Sequence, residues 1–113
     1  MPLLQIISNA TIDDNKDLLA KKASQFTAEL LGKPESYVMV HISTEQTLFF
    51  AGSNQPAALV NLKSLGLPEE NTGALSEKLC NFISTEFNIA SSRIYIEFSS
   101  PERHMWGWDK RTF

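Results

Sequence analysis

The sequence has little of what metal, redox and membrane proteins need. It contains one cysteine, Cys80, and two histidines in 113 residues, so we expect neither a disulfide framework nor a metal site. No apolar run approaches the ~20 residues of a membrane span. The apolar N-terminal segment is too short for a secretory signal and has no basic flank. These absences predict a cytoplasmic protein, with secretion by a signal-independent route left open.

Clusters of basic residues are also missing. Ten Lys and Arg against 13 Asp and Glu give a net charge of −3, which predicts no nucleic-acid partner and no anionic membrane partner. Neither a glycine-rich phosphate loop nor a Gly-x-Ser-x-Gly nucleophile elbow occurs. With 42% apolar and 20% charged residues, the chain has ordinary globular composition, and we predict a single domain over residues 1–113.

The chain opens with an apolar run that predicts a buried strand from about Leu3 to Ser8. Pro2 suits the start of a strand, because proline has no N–H to donate to a ladder. If Met1 is removed as the initiator residue, Pro2 carries a secondary amine held rigidly at a sheet edge. Such an amine is a candidate general base.

Beyond this strand, hydrophobic periodicity predicts two helices and further strands. The first helix begins near the capping residue Thr11 and the acids Asp13 and Asp14, and ends near Leu31 before Gly32. The second helix carries an apolar stripe over residues 75–87. The predicted strands are 37–43, 47–50, 57–65 and 93–99.

The second half of the sequence repeats the first at an offset of 56 residues. Corresponding apolar pairs are Leu3 and Leu59, Ile6 and Leu62, Leu19 and Leu75, Phe26 and Phe82, Val38 and Ile94, Val40 and Ile96, and Ile42 and Phe98. The repeat predicts an α+β fold of two right-handed βαβ units, which form one four-stranded mixed sheet with both helices on a single face.

Two helices leave the other face of the sheet open, although Leu3, Leu4, Ile6 and Ile7 make the first strand apolar on both sides. An apolar face of that size predicts an oligomer in which the sheets face inward. The short strands at 47–50 and 106–108 are expected to extend the sheets of neighbouring subunits. The pattern alone leaves a dimer and a trimer both open.

The candidate chemistry centres on Pro2 and Lys33. A nearby cation and burial both disfavour an ammonium group, so Lys33 at the end of the first helix could keep the Pro2 amine neutral. The competing interpretation is an ordinary proline, with a lysine that only complements the helix dipole. His41 fits a structural histidine and Cys80 a small core residue. Packing alone would explain the aromatic residues near the C-terminus.

Several short motifs occur in a specific order and spacing. They are Met1-Pro2, Gly32-Lys33-Pro34-x-x-Tyr37-Val38-x-Val40-His41, Ser64-Leu65-Gly66, Arg93-Ile94-Tyr95-Ile96, and Gly107-Trp108 with Thr112-Phe113. Through these motifs the chain resembles, essentially end to end, the macrophage migration inhibitory factor family of the tautomerase superfamily. The resemblance implies the repeated βαβ fold and a homotrimer with pockets between subunits.

The resemblance also implies a function and a set of roles. The function is keto–enol tautomerisation, without a cofactor, of arylpyruvate-like or dopachrome-like substrates, with Pro2 as general base. Lys33 and the N–H of Leu65, beside Ser64, would hold the substrate carboxylate or carbonyl oxygen, and Tyr95 would come from the adjacent subunit. The pocket lining would be Leu3, Tyr37, Trp106, Trp108 and Phe113.

The sequence departs from animal members of that family in three respects. Glu97 stands where they carry asparagine, and an extra carboxylate near the pocket would raise the pKa of the Pro2 amine. Trp106 replaces a small aliphatic residue and should narrow the entrance. Ala57 and Val60 replace a Cys-x-x-Cys pair, so no redox activity is expected. The alternative function is a cytokine-like protein-interaction trimer with vestigial catalysis, and no feature of the chain identifies a receptor.

Overall fold

The computed structural model describes residues 1–13 and 15–113, and these form a mixed four-stranded sheet with two long helices. The strand order is β2-β1-β3-β4, with β1 and β2 parallel, β3 and β4 parallel, and β1 and β3 antiparallel. The predicted α+β fold of two βαβ units is therefore confirmed. The elements are β1 Leu3–Ser8, α1 Lys16–Leu31, β2 Met39–Ser43, β3 Ala58–Lys63, α2 Thr72–Phe87, β4 Ile94–Ser99, β5 Gly107–Trp108 and β6 Arg111–Thr112.

The two βαβ units are related by an approximate two-fold axis. Both boundaries of α2 lie 56 residues after those of α1, from 16 to 72 and from 31 to 87. In the antiparallel pair β1–β3, Gln5 lies opposite Asn61, which is its own equivalent 56 residues later. On the helix side, the equivalent residues Phe26 and Phe82 stack on each other with ring centroids 4.3 Å apart. The sequence repeat therefore corresponds to a symmetry of the fold.

The core lies between the helices and one face of the sheet. Leu4 and Ile6 of β1 and Val60 and Leu62 of β3 alternate with residues of the opposite face, and all four are fully buried. Leu79 and Ile83 cover them from α2 and are also fully buried. Burying such a side chain stabilises the fold by roughly 1.5–3 kcal/mol. This layer therefore holds the strands, and the residues at their ends, in fixed positions.

The opposite face of the sheet is not apolar throughout, contrary to the sequence expectation. A row of polar side chains crosses all four strands at one level, from His41 through Gln5 and Asn61 to Glu97. Asn61 Nδ2 donates to Gln5 Oε1 at 3.3 Å, and Gln5 Nε2 lies 3.2 Å from His41 Nδ1. The expectation was wrong because it judged the face from β1 alone. We call these four residues the polar row.

Apolar side chains flank the polar row toward the ends of the strands. Met39 is 66% exposed and Tyr95 is 64% exposed, and Leu3 and Ile7 are only partly covered. The open face therefore has apolar margins on either side of a polar centre. Such a face can pack against another sheet only if that sheet also satisfies the polar row.

The start of α1 also differs from the prediction. The N-cap is Asn15, whose Oδ1 accepts hydrogen bonds from the N–H groups of Asp17 at 2.9 Å and Leu18 at 3.3 Å. Thr11 and Asp13 precede this cap and lie outside the helix, and Asp14 lies outside the described residues. Asparagine caps a helix as well as threonine does, so pattern alone did not choose between them.

Two predicted strands are not formed as expected. Residues 47–49 carry no strand, and Phe50 forms only an isolated bridge with Ser53 in a turn. Residues 35–37 form a 3₁₀ turn, so β2 begins at Met39 and not at 37. Gly107 and Trp108 do form a strand, but it pairs with β6 of the same chain. Addition of either segment to a neighbour's sheet stays a prediction.

No helix among the described residues is long and apolar enough to cross a membrane.

Candidate functional site

Pro2 is held at the edge where the parallel strands β1 and β2 both begin. Its carbonyl accepts a hydrogen bond from Met39 N–H at 3.0 Å, which ties the start of β1 to β2. Its side chain is less than 2% exposed. In the full chain the Pro2 nitrogen is an amide bonded to Met1, and Met1 lines the clefts on either side. Removal of Met1 would convert that nitrogen into a secondary amine at the start of β1, in a residue that itself lines one of these clefts.

One cleft beside Pro2, of about 570 Å³, is rich in aromatic and sulfur-containing side chains; we call it the aromatic cleft. The edge of Tyr37 meets the face of Trp108 with centroids 6.3 Å apart, and Trp108 stacks on Phe113 at 5.7 Å. Large apolar rings with defined orientations suit a planar organic ligand. Of the predicted residues, the aromatic cleft contains Pro2, Leu3, Tyr37, Trp106 and Trp108, and it adds Met39, Lys63 and Met105.

A second cleft, of about 620 Å³, shares Met1, Tyr37 and Pro101 with the first. It contains the cations Lys33 and Arg103, and we call it the cationic cleft. Leu65 and Phe113 line it as predicted, together with Gly66 and Glu102. The two clefts together surround Met1 with aromatic rings and with the cations Lys33 and Arg103, and Lys63 adds a third cation in the lining of the aromatic cleft.

The turn after α1 positions Lys33. Gly32 adopts the left-handed conformation at φ 63°, and Lys33 N–H donates to Ala28 carbonyl at 3.0 Å, which closes the helix C-terminus. The Lys33 ammonium then donates to the carbonyl of Leu65 in the loop after β3. One of its three donors is therefore bound within the protein and two remain for a ligand.

Ser64 and Leu65 follow β3 in the loop that Lys33 contacts, and they contribute differently to the site. Ser64 is fully buried, and its Oγ donates to the Leu65 carbonyl at 3.3 Å, so it supports the loop and does not line either cleft. No described backbone carbonyl accepts from the Leu65 N–H. Leu65 lines the cationic cleft together with Lys33, and its N–H is left without a backbone partner among the described residues.

The electrostatics of the site favour a neutral amine. The pKa of the Met1 amine is lowered from its ordinary value of 8.0, first by partial burial and then by the positive charges of Lys33 and Arg103. Burial and nearby cations both penalise the ammonium form. Because Pro2 follows Met1 directly, an amine on Pro2 would lie one residue further into the same field.

Tyr95 and Glu97 do not join the other predicted residues within one chain. Both lie on the open face of β4 and line neither cleft. The Tyr95 ring packs edge-on against Phe50 with centroids 4.7 Å apart, and Glu97 lies opposite Asn61 in the polar row. Their participation in a site therefore depends on a second copy of the chain.

Arg103 and Met1 are site residues that the sequence reasoning missed. Arg103 begins a 3₁₀ turn between Pro101 and Trp106, in a segment with no periodic pattern to interpret. The available signal was a cation only three residues before a predicted pocket aromatic. For Met1, the sequence indicated only its removal and not its place in the lining of both clefts.

The histidines and the cysteine do not form a metal centre. Among residues 1–13 and 15–113, no three His, Cys, Asp or Glu side chains come together as a cation site. His41 hydrogen-bonds Gln5 and, through Nε2, lies 3.2 Å from Ser43 Oγ. Cys80 is half-buried and packs against the core, as expected from its place beside the apolar stripe of α2.

Comparisons with known proteins agree with one another. The model of the family described as macrophage migration inhibitory factor matches residues 1–113. A macrophage migration inhibitory factor homologue of Brugia malayi is 37% identical over all of this chain and 99% of its own length, and the factor of Xenopus tropicalis is 30% identical over 100% of this chain and 99% of its own.

Solved structures give the same result. A macrophage migration inhibitory factor homologue from Prochlorococcus marinus is 36% identical with a TM-score of 0.89, covering 98% of each chain. The factor from Trichinella spiralis is 33% identical with a TM-score of 0.92, covering 98% of this chain and 99% of its own.

Proposed function

Because the chain belongs to the macrophage migration inhibitory factor family, whose fold is that of the tautomerase superfamily, we propose that it is a cofactor-free keto–enol tautomerase. Its substrates would be arylpyruvate-like or dopachrome-like, and the general base would be the amine of Pro2 after Met1 is removed. The observation that carries the proposal is the position of Pro2, which is buried, lines the aromatic cleft and directly follows Met1, the residue that lines both the aromatic and the cationic cleft.

The base needs to be neutral near pH 7. An ordinary α-amine with a pKa of about 8 is only ~10% neutral at that pH. The lowered pKa of the amine at this chain terminus, caused by burial, Lys33 and Arg103, works in the required direction. A base whose pKa lies close to the working pH contributes roughly 10²–10⁴-fold in rate.

In the proposed reaction, the Pro2 nitrogen takes the proton from the enol oxygen and the same proton is returned to the neighbouring carbon, which becomes the methylene of the keto form. The bonds made and broken are O–H and C–H, with the double bond moving from C=C to C=O. Negative charge develops on the oxygen between the two steps. In this proposal the Lys33 ammonium and the Leu65 N–H stabilise that charge, and their shared place in the lining of the cationic cleft supports these roles.

The aromatic cleft suggests the substrate class. An aryl ring attached to an enolisable keto acid would bury its faces against Tyr37 and Trp108, whose rings are already set at a right angle by mutual contact. The acid and keto oxygens would then point toward the cationic cleft. Because Trp106 also lines the aromatic cleft, we expect it to restrict the size of the aryl group.

We further propose a homotrimer in which a neighbouring copy supplies Tyr95. Within one chain Tyr95 is 64% exposed on the open face, beside the other apolar margin residues of that face. Packing three open faces around one axis would bury these margins and bring a tyrosine hydroxyl toward the next subunit's cleft. Glu97 would come with it, since the two side chains point from the same face of β4.

The test is the tautomerisation of phenylpyruvate by protein whose mass shows that Met1 is absent. We expect measurable enol-to-keto conversion with an acidic limb below the ordinary amine pKa, and no conversion above background from protein that retains Met1. Pro2→Gly should lower kcat/KM by about 10²–10³-fold, because the secondary amine and its rigid placement are lost.

The matched control is Pro56→Ala, which changes an exposed proline near the far end of β1 and should retain the wild-type rate. Wild-type rates in Pro2→Gly would remove Pro2 from the mechanism. An inert mature trimer would favour the alternative function, a protein-interaction module with a vestigial pocket.

A further inference from the structure

Arg103 lies in the segment after β4, where Ser100, Pro101 and Glu102 line the cationic cleft together with it. The segment is fixed by two backbone hydrogen bonds, Met105 N–H to Glu102 carbonyl at 2.9 Å and Trp106 N–H to Arg103 carbonyl at 3.3 Å. Phe113 N–H then donates to Trp106 carbonyl at 3.2 Å, so the C-terminus holds this turn in place. The Arg103 side chain is exposed and lines the cleft together with Lys33.

The two cations of the cleft differ in what they can bind. Lys33 is partly buried and already donates to the Leu65 carbonyl, so its ammonium is anchored at the wall of the cleft. Arg103 forms no salt bridge with another described residue. A guanidinium carries a rigid fork of donors that matches both oxygens of a carboxylate, whereas an ammonium acts as a point charge.

One anion also lines the cleft. The Glu102 carboxylate lies 3.4 Å from His104 Nδ1, and both side chains are largely exposed, at 80% and 69%. An exposed carboxylate is screened by water. It weakens the positive field of the cleft without cancelling two cations, one of which is partly buried.

An α-keto acid presents two kinds of oxygen at adjacent carbons, a carboxylate and the oxygen that becomes the enolate. We propose that Arg103 binds the substrate carboxylate through its guanidinium fork, which leaves Lys33 to stabilise the enolate oxygen. The inference rests on the proposed function and narrows the substrates to enolisable α-keto acids with a free carboxylate. Arg103 is then a specificity-determining residue for the same site.

The pKa of the Met1 amine also indicates that the Arg103 charge acts at the chain terminus. The Arg103 charge contributes, after burial and Lys33, to the lowered pKa of the Met1 amine. This effect puts Arg103 within electrostatic range of the chain terminus, and its place in the lining of the cationic cleft is the geometric basis for contact with a substrate.

The experiment compares phenylpyruvate with its methyl ester, which cannot offer a carboxylate. In Arg103→Ala we expect the KM for phenylpyruvate to rise about 10–100-fold, the loss typical of a hydrogen bond to a charged group, with kcat changed less than about threefold. The ester should show the same KM in the wild type and the variant. Arg103→Lys should recover part of the loss, and Glu102→Gln should lower the KM for the acid.

The matched control is Lys21→Ala, which removes one positive charge from the exposed face of α1. It should change neither substrate's KM by more than about twofold, since surface charges far from the site are screened. Equal effects of Arg103→Ala on acid and ester, or no effect on either, would overturn the proposal.

Binding is read separately from turnover by the quenching of Trp106 and Trp108 fluorescence, since both rings line the aromatic cleft. If the wild type binds phenylpyruvate but does not turn it over, the proposed catalysis fails while the Arg103 assignment is still decided by the affinity of Arg103→Ala. If that variant binds the acid as tightly as the wild type, the assignment fails whatever the activity.

Discussion

The two βαβ units have nearly the same backbone but different chemistry at equivalent positions. Both helices end in a left-handed residue, Gly32 at φ 63° and Asn88 at φ 54°. The next N–H in each unit returns to the last turn of its helix, from Lys33 to Ala28 carbonyl at 3.0 Å and from Ile89 to Ser84 carbonyl at 3.3 Å. A 3₁₀ turn of three residues follows in both, 35–37 and 91–93.

What differs is the side chain that this shared turn presents. Lys33 reaches into the cationic cleft, whereas Ile89 is 1% exposed and belongs to the core. Pro2 begins its strand next to the chain terminus, but Ala58, at the equivalent place, is preceded by 57 residues and can never carry a free amine. The comparison teaches that the backbone is repeated, whereas the strand start that the proposed function requires occurs in the first unit only.

The largest effect should come from making the second unit resemble the first. Ile89→Lys would place an unpaired ammonium in the core, and we expect a loss of about 3–5 kcal/mol in the free energy of unfolding. Urea titration at pH 7 measures this loss. Ile89→Met, which keeps the volume and adds no charge, should cost less than about 1.5 kcal/mol.

A loss below about 1 kcal/mol in Ile89→Lys would show that the second turn can present its side chain to solvent, as the first turn does. The difference between the units would then be one of sequence only and not of packing.

The reverse change, Lys33→Ile, should affect catalysis more than folding. Removing the ammonium from the developing enolate should lower kcat/KM for phenylpyruvate by about 10–100-fold. The Lys33 charge lowers the pKa of the terminal amine. Its removal should therefore raise the pKa of the Pro2 amine and move the acidic limb of the rate profile to higher pH.

Lys78→Ile, on the exposed side of α2, serves as the control for loss of charge and gain of an apolar side chain. If the acidic limb of the rate profile moves equally in Lys33→Ile and Lys78→Ile, the shift comes from the change in net charge and not from the position of Lys33.

The smallest effects are expected at the shared turns themselves. Gly32→Ala should cost about 1 kcal/mol, because it forces a Cβ into the left-handed region. Asn88→Ala should cost less, because asparagine already carries a Cβ there and only its better tolerance of this conformation is lost. At Gly32 a Cβ would meet no heavy atom within 4 Å, so the cost there is that of the backbone conformation alone. Asn88→Gly should be neutral or slightly stabilising in the same urea titration. Costs that differ by more than about 1 kcal/mol between the two alanine variants would mean that the turns are not equivalent.

The sequence predicted much of the fold because most of its information is local. The apolar stripes and Gly32 as a helix stop follow from short-range geometry, and the 56-residue repeat shows the same local pattern in both halves. The predicted positions of β1 and of both helices therefore agree well with the structure. The errors fell where several residues could serve one role. Asn15 capped α1 instead of Thr11, and residues 35–37 coiled into a turn before β2 could begin.

The candidate site was harder to predict, because it is assembled from chain ends and loops. Pro2, Lys33 and Trp108 come together only when β1, the α1 turn and the C-terminal hairpin are in place. Arg103 belongs to a segment whose position is set by backbone bonds to the C-terminus, and no periodicity reports such contacts. The polar row shows the same limit, since its members are 20 or more residues apart in sequence and meet only through strand register.

The polar row also has a consequence for how the chain finds its fold. If β1 slid by one residue against β3, the Gln5 amide would turn from the open face into the layer that Leu4 and Ile6 occupy. It would lose its partners Asn61 and His41, at a cost of about 1–3 kcal/mol for an unsatisfied polar group. The polar row therefore disfavours shifted pairings of β1 with β3. Because Pro2 directly precedes β1, the same register fixes the position of Pro2.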